Sequence, residues 1–236
     1  MTSLLPTASP TEIFYPSSDG EPVAETYVHL YAMLVTLEVL RQYLEGQQAT
    51  VLSNQFLYYA QGYPRLRVAP DVMVIFDVAP GGRDYYKIWE EGQVPAVIFE
   101  MTSKSTQAQD QVFKRTLYEQ LGVREYWLFD PRGEWIDGQL QGYRLHNDTY
   151  EPITDGRSDP LKLRLEVDGH LIAFYREDTG EKLLIPGELA QALRTEAQAR
   201  QDAEARAAES ELRAQALEAE VERLRSRLRE LGAEEG

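Results

Sequence analysis

The spacing of apolar residues predicts a helix near the start of the chain. Between Thr26 and Leu44, apolar side chains recur at helical intervals without a helix breaker, and Gly46 follows as a stop signal. One side of this segment is apolar enough to cover a sheet. Residues 1–22 before it are rich in Ser, Thr and Pro, and we expect them to form a flexible N-terminal arm.

The segments that follow are dominated by β-branched and aromatic residues, which favours strands. Four such runs are Val51 to Tyr59, Val68 to Val78, Val94 to Met101 and Glu125 to Phe129. Before the last run, Gln107 to Leu121 predicts a helix whose apolar stripe, Phe113, Leu117 and Leu121, we expect to be buried. A strand, a helix and a strand in this order imply a right-handed parallel crossover.

The pattern changes again between Trp135 and Tyr175, where short apolar runs are separated by Asp-Gly turns such as Asp137-Gly138 and Asp168-Gly169. Runs of this kind are typical of antiparallel hairpins. The expected fold class is therefore α/β, with a mixed central sheet flanked by helices.

A change of composition near Pro186-Gly187 predicts a domain boundary. No aromatic residue follows Tyr175, and residues 188–231 contain neither Gly nor Pro. We therefore expect residues 188–232 to form one long C-terminal helix that follows a globular domain of residues 23–185. The second half of this helix spaces apolar residues four and three apart, as in a coiled coil. These residues are Leu217, Val221, Leu224, Leu228 and Leu231.

Further back, the same register places mostly Ala, Ser, Arg and Glu on the seam, so we expect moderate homo-oligomerisation through this helix. The alternative is a single solvated helix that carries Glu–Arg pairs at i, i+4 spacing.

Composition limits the chemistry that the chain can carry. It has no cysteine, which excludes disulfides and thiol nucleophiles, and its three histidines are far apart in sequence. The net charge of −15 opposes non-specific attraction to nucleic acid or to an anionic membrane. We expect a cytoplasmic location and no membrane partner, because no apolar run is long enough to span a bilayer and no signal peptide is evident.

Two carboxylates stand in the apolar runs that predict central strands. Asp71 follows Pro70 at the start of one run, and Glu100 lies near the end of another. A buried carboxylate needs a cation or a proton. If the two strands are antiparallel neighbours, Asp71 and Glu100 meet at one sheet edge, where their oxygens would select Mg²⁺ or Mn²⁺. The alternative is a turn-forming Asp and a Glu that reaches solvent.

Polar residues after Glu100 add to this pair. By strand parity, Thr102 and Lys104 share its face of the sheet. On the predicted helix that follows, Asp110, Lys114 and Tyr118 are four residues apart and form a line that can face the same sheet edge. The alternative for this line is a surface ion pair of little energetic value.

In their order and spacing, these residues resemble the Uma2 family of bacterial endonuclease-like proteins, which is assigned to the PD-(D/E)XK restriction endonuclease-like superfamily. The resemblance extends over roughly Glu25 to Tyr175 and implies a restriction endonuclease-like core. It rests on Pro70-Asp71, Glu100, Ser103 to Thr106, Asp110, Lys114, Tyr118, Gly122-Val123, Glu125 to Trp127 and Asp130-Pro131.

The resemblance also implies roles for single residues. Asp71 matches the Asp of the PD element and Glu100 matches the acidic residue of (D/E)XK, and in the superfamily these two positions bind a divalent metal. The lysine does not match, because Thr102 stands two residues after Glu100. Lys114 or Lys104 would have to replace it, and we favour Lys114 because its helix is expected to pack over the site.

The activity that the resemblance implies is Mg²⁺-dependent (or Mn²⁺-dependent) hydrolysis of phosphodiester bonds by an endonuclease, with DNA as the expected nucleic acid and RNA as the other choice. The alternative is a catalytically silent nuclease-fold module that oligomerises through its coiled coil. The net acidity and the coiled-coil tail favour the module, whereas the retained Asp71, Glu100, Asp110 and Lys114 favour the enzyme.

Overall fold

The computed structural model describes residues 13–20, 26–103 and 109–233. The chain divides into two compact units, Met1–Ile185 and Pro186–Gly236. The helices are α1 (Tyr27–Tyr43), α2 (Ile88–Glu91), α3 (Arg115–Leu121) and α4 (Pro186–Ala233), and a π-helical turn (Gln109–Lys114) leads directly into α3. Within the described residues, every helix is too short or too polar to cross a lipid bilayer.

The strands of the first unit form three sheets. They are β1 (Ala49–Leu52), β2 (Phe56–Tyr58), β3 (Arg67–Val68), β4 (Val72–Phe76), β5 (Tyr85–Lys87), β6 (Val97–Met101), β7 (Glu125–Phe129), β8 (Leu140–His146), β9 (Thr149–Ile153), β10 (Arg157–Ser158), β11 (Leu163–Asp168) and β12 (Leu171–Arg176). The largest sheet has six strands in the order β1-β4-β6-β7-β8-β9, and the others are β10-β11-β12 and β3-β2-β5.

The six-stranded sheet is mixed. Strands β6 and β7 are parallel, whereas the other neighbouring pairs are antiparallel. The predicted α/β fold with a mixed central sheet is therefore confirmed, and so is the parallel pairing on either side of α3. The hairpin predicted at Asp168-Gly169 joins β11 to β12.

The central sheet buries different residues on its two faces, because successive side chains of a strand point to opposite sides. From β6, Val97 and Phe99 pack in a cluster that contains the buried side of α1. Ile98 points to the other face and packs with Tyr118 of α3 and Tyr126 of β7. Glu100 follows Ile98 by two residues, so the alternation places it on the face covered by α3.

Two of the predicted strands are interrupted. The run from Val51 to Tyr59 is divided between β1 and β2, and Asn54 between them has a positive φ of 58°. The run from Val68 to Val78 is divided between β3 and β4 around Pro70, which has no backbone N–H to donate to a sheet.

The prediction of a buried Phe113 was wrong. Its side chain is 52% exposed, whereas Tyr118, which lies outside the predicted stripe, is fully buried. The neighbouring line of Asp110, Lys114 and Tyr118, which has the same i, i+4 spacing, faces the sheet instead. Phe113 precedes Lys114 and is turned toward solvent.

The described part of the expected N-terminal arm, residues 13–20, packs against strand β2 and the turn that follows it. The Tyr15 ring packs edge-on against Tyr58 at 5.1 Å, and the Tyr15 hydroxyl accepts a hydrogen bond from the Gly62 N–H at 2.7 Å. Residues 1–12 and 21–22 of the expected arm lie outside the described residues.

Candidate active site

Asp71 and Glu100 meet because β4 and β6 are antiparallel neighbours. Val72 pairs with Phe99, so the residue before Val72 lies beside the residue after Phe99. The Asp71 N–H lies 3.4 Å from Glu100 Oε2, and the Met101 N–H donates to Asp71 Oδ2 at 2.6 Å. The two carboxylates therefore occupy the same end of this strand pair, which is the arrangement that the antiparallel hypothesis predicts.

Lys114 reaches these carboxylates from the π-helical turn. Its Nζ atom lies 2.9 Å from Glu100 Oε2 and 2.9 Å from Asp110 Oδ1. The side chains of Glu100 and Asp110 are each 1% exposed and that of Lys114 is 12% exposed. The structure thus brings the predicted helical line to the sheet edge, with one ammonium between two buried carboxylates.

The π-helical turn determines where Asp110 and Lys114 point. The Tyr126 hydroxyl donates to the backbone carbonyl of Asp110 at 3.0 Å, which ties the start of the turn to β7. Turns of this type are frequent at functional sites, where they redirect side chains within a helix. At the far end, Gly122 adopts a left-handed conformation with φ of 81° and ends α3.

Tyr118 fixes the second oxygen of Glu100. Its hydroxyl donates to Glu100 Oε1 at 2.8 Å, and its buried ring packs edge-on against Tyr126 at 5.2 Å. Both carboxylate oxygens of Glu100 therefore contact donors from the π-turn and α3. The orientation of Glu100 is set before any ligand arrives.

The structure adds His29, a residue that the sequence analysis missed. Its Nε2 atom lies 3.6 Å from Asp71 Oδ2, and the residue is 5% exposed. In sequence, His29 stands far from His146 and His170, which gives no reason to place it at a shared metal site. Helical spacing could have indicated that His29 is buried. It lies on the same face of α1 as three other buried residues, Ala32, Met33 and Thr36.

Thr102 stands two residues after Glu100, where the resemblance described above predicts a lysine. It is 2% exposed, and its N–H donates to the Phe129 carbonyl at 2.7 Å, which extends the contact of β6 with β7. Lys104, the second lysine that we considered, lies outside the described residues. Lys114 therefore contacts Glu100 from a helix, where the family pattern would place a lysine on the strand.

Burial dominates the electrostatics of this site. It raises the pKa of Glu100 to about 8, although the positive charge of Lys114 opposes this shift. For Lys114, burial lowers the pKa, but the carboxylates of Glu100 and Asp110 outweigh it, and the net shift is upward. Burial also raises the pKa of Tyr118 well above its ordinary value. Lys114 therefore stays charged near neutral pH, and Tyr118 stays a hydrogen-bond donor.

Among the described residues of this cluster, Lys114 lies between Glu100 and Asp110, and Asp71 lies beside Glu100. Asp71 is the most exposed of the three carboxylates, at 17% of its side chain. Asp71 and Glu100 could provide oxygen ligands to a cation. Within the described parts of the chain, no group of three or more His, Asp or Glu side chains forms a ready-made metal site.

Comparisons with known proteins show which family the chain belongs to. The chain is similar to a protein of known crystal structure, a putative nuclease belonging to DUF820 from Anabaena variabilis ATCC 29413. The two share 17% sequence identity, with a TM-score of 0.41, over 60% of this chain and 77% of that chain. No curated protein matches the chain. The sequence model of the family described as "Uma2: Putative restriction endonuclease" matches residues 5–166. Because that match spans well over half of the 236 residues, the chain belongs to the Uma2 family.

Proposed function

We propose that the first unit is a metal-dependent endonuclease that hydrolyses phosphodiester bonds in nucleic acid, with DNA as the expected substrate. One observation carries this proposal: Asp71 and Glu100 lie side by side at the ends of β4 and β6, and Lys114 Nζ is 2.9 Å from Glu100. Membership of the family described as "Putative restriction endonuclease" supports the same class of reaction.

The oxygen donors at this site fit a divalent cation. Mg²⁺ is commonly held by one or two carboxylates together with water, so Asp71 and Glu100 are a sufficient protein contribution. A bound cation would also favour the ionised form of Glu100, whose pKa burial raises to about 8. When bound, Mg²⁺ or Mn²⁺ would supply Lewis-acid polarisation of a phosphate and a more acidic bound water.

Lys114 contributes a fixed positive charge. Because its pKa is raised, it remains an ammonium at neutral pH and does not accept a proton from water. Its role is to stabilise negative charge that develops on a phosphate beside Glu100. In this role it replaces the strand lysine whose place Thr102 occupies.

Asp110 and Tyr118 position the groups that face the substrate. Asp110 Oδ1 holds the Lys114 ammonium, and the Tyr118 hydroxyl holds Glu100 Oε1. Arg115, next to Lys114 in sequence, stacks over the Tyr143 ring with Cζ 4.1 Å from its centroid. We include Arg115 as a candidate phosphate contact, since a chain with a net charge of −15 needs local positive groups to attract nucleic acid.

The test is a cleavage assay on supercoiled DNA and on labelled single-stranded DNA and RNA, with Mg²⁺ or Mn²⁺. We expect Asp71→Asn and Glu100→Gln each to reduce cleavage at least 100-fold, because each removes a carboxylate from the proposed cation site. The matched control is Glu151→Gln, which makes the same change on the exposed side of β9. Undiminished cleavage by both site variants would exclude this site.

The second candidate is a catalytically silent module. Glu100 is buried and bonded to both Lys114 and Tyr118, and such a satisfied cluster also suits a purely structural role. Titration calorimetry with Mn²⁺ separates the two functions. The enzyme should bind Mn²⁺ in the wild type and lose binding in Asp71→Asn, whereas the module should show no binding that depends on Asp71.

A further inference from the structure

The long helix α4 carries a row of exposed apolar side chains. Leu217, Val221, Leu224 and Leu228 are spaced four, three and four residues apart and are between 45% and 69% exposed. Such spacing brings the four side chains onto one narrow face, as in a coiled-coil seam. Exposure of a continuous apolar row to water is unfavourable, so this face suits a partner helix.

We infer that α4 pairs with α4 of a second copy of this chain, with the two helices parallel and in register. In heptad terms, Val221 and Leu228 occupy position a, and Leu217 and Leu224 occupy position d. The residues that flank the seam, at positions e and g, then lie beside the partner helix. Their charges give the reason for this particular pairing.

In a parallel, in-register pair, each g residue lies beside the e residue five positions later on the partner. In this chain, three successive contacts of that kind join opposite charges, and the twofold symmetry makes each occur twice. The contacts are Arg206 with the partner's Glu211, Arg213 with the partner's Glu218, and Glu220 with the partner's Arg225.

A parallel pair shifted by one heptad has poorer complementarity. Because the two chains are identical, a shift in either direction gives the same staggered pair. In that pair Arg213 lies beside the partner's Arg225 and Glu218 lies beside the partner's Glu220, so like charges replace opposite ones at these two contacts. Like charges at these positions are unfavourable. The apolar seam therefore supplies the attraction, and the flanking charges select the register.

An antiparallel pair is the main competitor. Its best alignment places Val221 opposite the partner's Leu224 and also joins Glu218 to the partner's Arg225, but it confines the contact to residues after about 212. The parallel pair also uses Arg206, Glu211 and Arg213. Because the globular unit precedes α4 in the chain, a parallel pair attaches both globular units at the same end of the coiled coil.

Cysteine cross-linking tests the relative orientation of the two α4 helices. No other thiol can react, because the chain contains no cysteine. Ala214→Cys places a thiol at position a, where parallel, in-register helices bring the two Cα atoms within the roughly 7 Å that a disulfide needs. In the antiparallel alignment, the two thiols would be about 25 Å apart along the helix. Ala219→Cys is the matched control, because position f points away from the seam.

Under mild oxidation of the full chain, we expect Ala214→Cys to form a covalent species of twice the 27.0 kDa chain mass, and Ala219→Cys to form far less of it. Light scattering should show a reversible dimer, and Leu224→Glu should weaken its association at least tenfold. A monomer at all micromolar concentrations would overturn the pairing. A dimer that Ala214→Cys cannot cross-link would overturn the parallel orientation.

Discussion

Two ion pairs of nearly equal length lie in very different parts of the molecule. Lys114 and Glu100 are 2.9 Å apart with side chains 12% and 1% exposed, whereas Arg223 and Glu220 of α4 are 2.8 Å apart with side chains 75% and 46% exposed. In water, screening and lost side-chain freedom cancel most of the attraction. In the interior, neither charge can lose its partner cheaply. The distance between the two charged groups alone therefore does not show which ion pair contributes more to stability.

The largest expected effect is the loss of the buried cation. Lys114→Met keeps most of the side-chain length but leaves Glu100 and Asp110 without their ammonium, so we expect the free energy of unfolding to fall by about 3 kcal/mol. We also expect nuclease activity to be lost. Urea denaturation followed by tryptophan fluorescence measures the stability.

The matched control for this variant is Lys182→Met. Lys182 Nζ contacts Asp168 Oδ2 at 3.0 Å, but the side chain of Asp168 is 61% exposed. We expect this exposed pair to change stability by less than about 1 kcal/mol. Equal losses in the two variants would mean that burial does not distinguish the pairs.

The positions of Asp71 and Glu100 could be predicted because strand alternation and an antiparallel pairing are enough to bring them together. The face of Asp110, Lys114 and Tyr118 followed from the i, i+4 spacing. The exposure of Phe113 could not be predicted in this way, because the stripe that begins at Phe113 has the same i, i+4 spacing as the line that begins at Asp110, and spacing alone does not tell which of the two the sheet covers.

The approach of His29 to Asp71 also escaped prediction. The two residues are far apart in sequence, and their contact depends on how α1 packs on the sheet. The tail is the opposite case. Its single helix, Pro186–Ala233, follows from local composition alone, because uninterrupted helix-forming residues need no tertiary partner to indicate their structure. The helix of the tail was thus readable from the sequence, whereas the contact between α1 and the sheet edge needed the fold.

A smaller, pH-dependent effect should separate the buried carboxylate from exposed ones. Burial raises the pKa of Glu100 from 4.5 to about 8, so the folded state holds an extra proton between these pH values. Its contribution to stability is present at low pH and is lost as the pH rises through about 8. Glu100→Gln cannot titrate and should become more stable relative to the wild type as the pH rises.

The measurement for Glu100→Gln is the difference in unfolding free energy from the wild type between pH 5 and pH 9. The ratio between the unfolding equilibrium constants of the wild type and Glu100→Gln should change by at most about tenfold per pH unit, because the two proteins differ by the binding of one proton. Glu151→Gln, which is exposed, should give a nearly flat difference curve. A flat curve for Glu100→Gln as well would contradict the raised pKa.

The smallest effect is expected for the exposed pair of the tail. Arg223 occupies heptad position c, away from the proposed seam, so Arg223→Ala removes the contact with Glu220 and leaves Glu220 available to the partner's Arg225. We expect helix stability to change by less than about 0.5 kcal/mol, partly because alanine itself favours helices. Circular dichroism at 222 nm during thermal unfolding measures this change, and 1 M NaCl should reduce it further by screening. A loss as large as that of Lys114→Met would show that Arg223 makes a buried contact in the assembled helix pair, and the seam would then have to be assigned to a different face of α4.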